Sequence, residues 1–197
     1  MPTRTGLAIA GAIAVLAPVA VALPAHSHGY TTNPPSRSSR CATGEVANCG
    51  PIQWEPQSVE GPKGFPAAGP RDGTICAAGD RRWAPLDDPR GGTWPAARMT
   101  SGVVSSFSWR FTAPHATTSF RYFITRNGWN PAQPLTRAAL EPAPFLTRAY
   151  NGTRPGSTAT HQGTIPAGKT GRHLILAVWD IADTSNAFYS CADVQLG

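Results

Sequence analysis

Apolar residues alternate with polar ones in the second half of the chain, and this pattern constrains the fold more than any other feature. Phe107, Trp109 and Phe111 are separated by polar residues, as expected for one face of a β-strand. Residues 120–124 and 188–196 alternate in the same way, whereas residues 174–179 are apolar on both faces, as in a central strand. Strands of this kind, separated by Gly and Pro turns, predict an all-β fold built as an antiparallel sandwich.

The first half of the mature chain differs sharply from the second. From about Pro34 to Thr100 it is dense in Gly, Pro, Ser and Asp and has few alternating apolar runs. The whole chain contains only two Lys and four Glu, which disfavours long surface helices. We therefore expect an immunoglobulin/fibronectin-III-like sandwich with a long loop/short-helix insertion after the first strand. A loop region this long is usually functional, so the insertion is a candidate binding surface.

The N-terminus has the pattern of an export signal. Arg4 precedes an apolar stretch over residues 6–23 that is interrupted only by Pro18. A retained membrane anchor is the alternative, since eighteen residues approach the length of a span. Cleavage after Ala25 would leave a bulky Leu at the −3 position, whereas cleavage after Ser27 places small residues at both −3 and −1. We expect a signal peptide over residues 1–27 and one secreted, extracellular domain over residues 28–197, with no membrane attachment after cleavage.

Charge and cysteine content limit the classes of site. The net charge of +6 comes mainly from Arg spread along the chain, without the basic run of a nucleic-acid arm, so no nucleic-acid partner is expected. Four cysteines in an exported chain predict two disulfides, for which three pairings are open. The short spacing makes Cys41–Cys49 the natural local loop, which leaves Cys76–Cys191.

His28 would be the first residue of the mature chain, and this gives it a metal-binding capacity that other histidines lack. Its α-amine and its imidazole Nδ1 form one chelate ring, and a metal can displace the proton of the amine near neutral pH. A second imidazole would complete a three-nitrogen set, which suits copper. The best candidate is His115, just past a predicted strand end, whereas His161 and His173 lie in or beside strands and are interpreted as structural.

Several motifs resemble the lytic polysaccharide monooxygenases of auxiliary-activity family ten, formerly called chitin-binding proteins. The resemblance covers essentially the whole mature chain. The matching segments are His28-Gly29-Tyr30, Pro35-Ser36-Arg37, Gln53-Trp54-Glu55-Pro56-Gln57-Ser58-Val59-Glu60-Gly61, Tyr122-Phe123-Ile124-Thr125 and residues 179–189 from Trp179 to Tyr189.

The resemblance implies a role for each matching position around a copper ion. His28 and His115 would form the copper-binding histidine brace, with Ala113 and Phe188 near the two axial faces of the metal. Glu60 would position the oxygen co-substrate beside copper. Without the resemblance, Phe188 would be interpreted as a core aromatic residue and Glu60 as a solvated loop residue. One departure is Pro114, where the family often has Arg, and proline fixes the backbone directly before His115.

The resemblance also implies a flat polysaccharide-binding surface. Trp54 falls where the family shows an exposed aromatic residue, although a buried Trp is the usual default. Neighbouring polar positions that match the family are Glu55, Gln57, Thr112, Asp183 and Asn186. The implied substrate is crystalline chitin, with cellulose as the other candidate. The implied reaction is C1 oxidation by a monomer that uses an external electron donor and either dioxygen or hydrogen peroxide.

Two other functions remain open at this point. A non-catalytic chitin-binding module would share Trp54 and the flat surface but would need no brace. A glycoside hydrolase would need two carboxyl groups at a defined separation, for which Glu55 and Glu60 are the available pair. A histidine brace beside those residues favours the oxidative enzyme.

Overall fold

The computed structural model describes Met1 and residues 27–197. The predicted signal peptide and its cleavage region up to residue 26 therefore lie outside the described residues, except for Met1. Within the described part, no helix is both long and apolar enough to cross a membrane.

The described part of the chain is built mainly of strands, as the sequence predicts. The strands are β1 (His28–Asn33), β2 (Glu60–Pro62), β3 (Ala97–Met99), β4 (Val104–Ala113), β5 (Thr117–Ile124), β6 (Leu146–Ala149), β7 (Thr158–Thr164), β8 (Gly171–Ile181) and β9 (Asn186–Leu196). One α-helix, α1 (Arg37–Ala42), is accompanied by short 3-10 turns at Gly50–Gln53, Arg81–Leu86, Arg90–Gly92 and Arg137–Ala139. The helical turns of residues 34–96 all follow β1, which confirms the predicted insertion.

Two sheets pack face to face. The smaller sheet has the order β1-β4-β7, and the larger has the order β2-β9-β8-β5-β6, with β3 also paired to β9. All of these pairs are antiparallel except β3–β9, which is parallel over residues 97–99 and 194–196. The immunoglobulin-like antiparallel sandwich is thus confirmed. The short parallel pair is not predicted, because a three-residue strand has too short a sequence pattern.

The larger sheet is buried on both faces. One face packs against the smaller sheet, where the alternating aromatic residues Phe107, Trp109 and Phe111 of β4 lie as predicted. The other face is covered by the insertion, whose buried residues pack against Phe123 of β5 and Leu176 of β8. Because β8 lies between these two cores, it is apolar on both faces.

Two disulfides fix the insertion. Cys41–Cys49 closes a short loop after α1, and Cys76–Cys191 ties the insertion to β9. This pairing confirms the local-loop prediction. α1 begins after Ser36, whose side chain accepts a hydrogen bond from the Ser39 backbone N–H.

Candidate metal and polysaccharide site

The pairing of β1 with β4 brings the two candidate metal ligands to the same end of the sandwich. His28, the first residue of β1, lies opposite Ala113, the last residue of β4. His115 follows two residues later, in the connection to β5, and is 6% exposed. Strand register alone therefore places the predicted mature N-terminus beside the segment that carries His115.

Hydrogen bonds hold His115 from two sides. Its backbone carbonyl accepts a hydrogen bond of 2.9 Å from Thr117 Oγ1, which in turn accepts one of 2.7 Å from the buried indole Nε1 of Trp179. Its imidazole Nδ1 lies 3.3 Å from Asp183 Oδ1. With Nδ1 engaged in this way, Nε2 is the ring nitrogen available to a metal.

The segment from Trp54 to Glu60 borders the same end. The Gly29 backbone N–H donates to the carbonyl of Gln57 over 3.0 Å, so this segment is tied directly to β1. Glu60 begins β2 opposite Phe188 of β9, and its carboxylate accepts a hydrogen bond of 3.0 Å from Asn186 Nδ2. Glu60 is thereby held at the edge of the sheet and is not a freely solvated loop residue.

Phe188 and Ala113 occupy different surroundings. Phe188 is fully buried, and its ring centroid lies 4.9 Å from that of Trp179. Ala113 is only half-buried at the end of β4. Phe188 thus contributes to the inter-sheet core whatever else it does, and its implied place at a copper axial face stays a prediction.

Trp54 projects into solvent, in contrast to the usual burial of tryptophan. Its side chain is 79% exposed, at the end of the 3-10 turn Gly50–Gln53. The polar residues predicted with it are also accessible: Glu55, Thr112 and Asp183 are exposed, whereas Gln57 and Asn186 are half-buried. Asp183 differs from the others because its carboxylate contacts the imidazole of His115.

An open cavity of about 330 Å³ adjoins His28 and contains one charged residue that sequence reasoning missed. Arg82 lines it together with Glu55 and Glu60. Asp80 accepts hydrogen bonds of 2.9 and 2.6 Å from Arg82 Nε and Nη2, and this pairing holds the pKa of Asp80 below its ordinary value. Nothing in the sequence of this turn distinguishes Arg82 from the chain's many surface arginines.

The remaining described histidines lie inside the sandwich, in keeping with their structural interpretation. His161 Nδ1 is 2.6 Å from Tyr122 Oη, and Nε2 is 3.1 Å from Tyr150 Oη. Burial lowers the pKa of His161 to about 4. His173 is fully buried beside Thr125, and burial lowers its pKa as well.

The donor set at the His28 end fits copper. All four cysteines are in disulfides, so thiolate ligands are excluded. Within residues 27–197 no group of three or more His, Cys, Asp or Glu side chains could hold a metal ion. Two imidazoles and the amine released by cleavage would give three nitrogens, a donor type that suits Cu(II).

Comparison with known proteins agrees with this description. The family profile described as "Lytic polysaccharide mono-oxygenase, cellulose-degrading" matches residues 28–194. The fold and the profile match therefore define a lytic polysaccharide monooxygenase domain. The chain belongs to auxiliary-activity family ten, and the resemblance found in the sequence is confirmed.

Relatives agree with this membership but differ in length. "GlcNAc-binding protein A" of Shewanella oneidensis is 42% identical over 99% of this chain, and the chain spans only 41% of that protein. "Lytic chitin monooxygenase" of Streptomyces ambofaciens is 43% identical over 93% of this chain and 92% of that protein.

Solved structures share the fold closely. A family-ten monooxygenase from Streptomyces lividans is 54% identical, with a TM-score of 0.83 over 85% of this chain and 99% of that one. A Bacillus amyloliquefaciens protein described in complex with Cu(I) is 41% identical, with a TM-score of 0.78 over 86% of this chain and 100% of that one.

Proposed function

We propose that the mature chain is a copper-dependent monooxygenase that cleaves glycosidic bonds of crystalline chitin, with oxidation at C1. The observation that supports the proposal is the β1–β4 register, because it pairs His28 with Ala113, two residues before His115. The B. amyloliquefaciens structure with Cu(I) supports the choice of metal.

His28 and His115 would hold the copper, and the α-amine of His28 would supply the third nitrogen. Copper, when bound there, would supply the redox chemistry, for which an external donor would provide electrons and dioxygen or hydrogen peroxide would be the oxidant of a glycosidic carbon. Glu60, held by Asn186, would present its carboxylate to the oxygen co-substrate. The fully buried Phe188 has no donor atom and would keep water from its side of the site.

The substrate is proposed from the surface around His28. The exposed indole of Trp54 offers a flat apolar surface for the C–H face of a sugar ring. The surrounding carboxylates and amides can form hydrogen bonds with hydroxyl and acetamide groups. A broad surface of this kind suits a crystalline polymer that cannot enter a pocket. The S. ambofaciens relative is named a lytic chitin monooxygenase, and this name supports chitin over cellulose as the proposed substrate.

Product analysis tests the proposal directly. The chain beginning at His28 is loaded with copper and incubated with crystalline chitin, ascorbate and either dioxygen or hydrogen peroxide, and soluble products are examined by mass spectrometry. We expect aldonic-acid chitooligosaccharides from this protein and none from a His115→Ala variant. Chitin binding without oxidised products would instead support the non-catalytic binding module, and a parallel incubation with cellulose decides the substrate.

A further inference from the structure

Asp183 lies in the short connection between β8 and β9 and faces His115 across the end of the sandwich. Its Oδ1 is 3.3 Å from His115 Nδ1, while the side chains are 52% and 7% exposed, respectively. One side of the carboxylate therefore meets the imidazole, and the other side meets solvent.

The backbone around both residues is fixed, so the contact does not depend on two free side chains meeting by chance. Ala182 donates its backbone N–H to the carbonyl of Ala116 over 2.7 Å. Ala182 directly precedes Asp183, and Ala116 directly follows His115. This main-chain hydrogen bond holds the two segments together next to the side-chain contact.

A carboxylate beside Nδ1 determines which tautomer of the imidazole is favoured. Because an ionised carboxylate only accepts hydrogen bonds, the contact requires a proton on Nδ1. In a neutral imidazole the lone pair is then on Nε2, and only a nitrogen with a lone pair can bind a metal. The hydrogen bond from Thr117 is to the backbone carbonyl of His115 and so has no effect on the ring tautomer, which depends on the contact with Asp183.

We infer that Asp183 is a positioning residue that fixes the tautomer and ring orientation of His115 so that Nε2 is presented for metal binding. The family resemblance implies only a polysaccharide contact for Asp183. The inference rests on the proposed function because it assumes that His115 binds a metal. The tautomer of His115, however, is a property of the protein without copper.

The tautomer is tested first in the copper-free chain beginning at His28. Nitrogen-15 NMR of the neutral imidazole distinguishes the protonated ring nitrogen from the one that carries the lone pair. We expect His115 to be protonated at Nδ1 in the wild type and to shift toward the other tautomer in Asp183→Ala. Asp183→Asn offers both an acceptor oxygen and a donor amide, so it should give a tautomer pattern between those of the wild type and Asp183→Ala. Glu45→Ala removes an exposed carboxylate that pairs with Arg40 in the insertion and not with His115, and it should leave the wild-type pattern unchanged.

Copper binding is then measured for the same variants. Loss of a residue that orients a metal ligand typically weakens affinity by about 10- to 100-fold, and we expect this for Asp183→Ala, together with an altered Cu(II) EPR spectrum. Asp183→Asn should lose less affinity, and Glu45→Ala should lose none. Unchanged nitrogen shifts and copper affinity in Asp183→Ala would overturn the inference and leave a polysaccharide contact alone. A wild-type chain that binds no copper would instead refute the proposed function. The nitrogen-15 shifts would still test whether Asp183 determines the tautomer of His115.

Discussion

Gly29 packs directly against the ring of Phe111. A Cβ atom at Gly29 would lie 2.6 Å from Phe111 Cδ1 and 3.1 Å from Trp179 Cζ3, and both rings belong to the buried core. Only glycine therefore allows β1 to lie this close to the core directly after His28, and the backbone position of His28 depends on this contact.

Replacing Gly29 by Ala tests that dependence. Because the two rings are buried and packed against each other, we expect a loss of about 1–3 kcal/mol in the free energy of unfolding, and weaker copper binding as β1 is displaced. Denaturant unfolding and copper titration measure the two effects. Gly156→Ala is the matched control, since its Cβ would come no nearer than 3.9 Å to another residue, and it should be close to neutral. Equal behaviour of the two variants would show that the contact does not position His28.

Trp54 provides a test of the binding surface. Because its side chain is 79% exposed, Trp54→Ala should leave thermal stability unchanged. It should weaken chitin binding by about tenfold or more, since burying a large apolar side chain contributes roughly 1.5–3 kcal/mol. Val103→Ala removes another exposed apolar side chain near the start of β4, away from the end that carries His28, and should bind chitin normally. Binding isotherms on insoluble chitin compare them, and unaltered binding by Trp54→Ala would contradict the proposed surface.

Glu60 should affect turnover without affecting copper affinity. Its carboxylate is held by Asn186 and is assigned to the oxygen co-substrate, not to the metal. We expect Glu60→Ala to slow the formation of oxidised products by about tenfold or more, in line with the cost of losing a positioned group at a reacting centre. Asn186→Ala, which frees the carboxylate, should cause a smaller loss. A fall in copper affinity in Glu60→Ala that matches the fall in rate would mean that Glu60 acts through the metal instead.

The buried His161 should make stability depend on pH. Its pKa is lowered to about 4 by burial, so between about pH 6.5 and 4 the unfolded chain binds a proton that the folded chain does not. The contribution of His161 to the free energy of unfolding should therefore fall by about 2–3 kcal/mol as the pH decreases through that range. Asp87 acts in the opposite direction, because burial raises its pKa to about 6.

A comparison with His161→Gln isolates the effect, since Asp87 is present in both proteins and cancels in the difference. The variant should be less stable than wild type at pH 7, because the hydroxyl groups of Tyr122 and Tyr150 lose their contacts with the imidazole. The difference should shrink toward pH 4.5. Urea unfolding at several pH values measures it, and a difference that stays constant with pH would refute the role of His161.

The sequence predicts the sandwich well because long strands carry their own periodicity. Phe107, Trp109 and Phe111 face one core as expected, and the described residues form no long helix, in line with the scarcity of Lys and Glu. The parallel β3–β9 pair was not predicted, because a three-residue strand has too short a pattern. Phe123 departs from simple alternation because the insertion forms a second core on the outer face of the larger sheet.

The candidate site was predicted residue by residue through family resemblance, but not its internal contacts. Asp183 was assigned to the polysaccharide, yet it also contacts His115, a residue 68 positions earlier. The side chain of Arg82, which is paired with Asp80, lines the cavity beside His28 only because the insertion folds back onto that end. Contacts of this kind depend on how distant segments meet, which local sequence patterns do not encode.

Under the proposed function, His28 becomes a copper ligand only when it is the first residue of the chain. The most direct measurement is the Cu(II) affinity of the chain beginning at His28, compared with that of the same chain retaining Ser27. We expect tight binding and a nitrogen-rich EPR spectrum for the chain that begins at His28. The second should bind at least about 100-fold more weakly, because its His28 nitrogen is a peptide amide instead of an amine. Equal affinity of the two proteins would show that the α-amine of His28 is not a copper ligand.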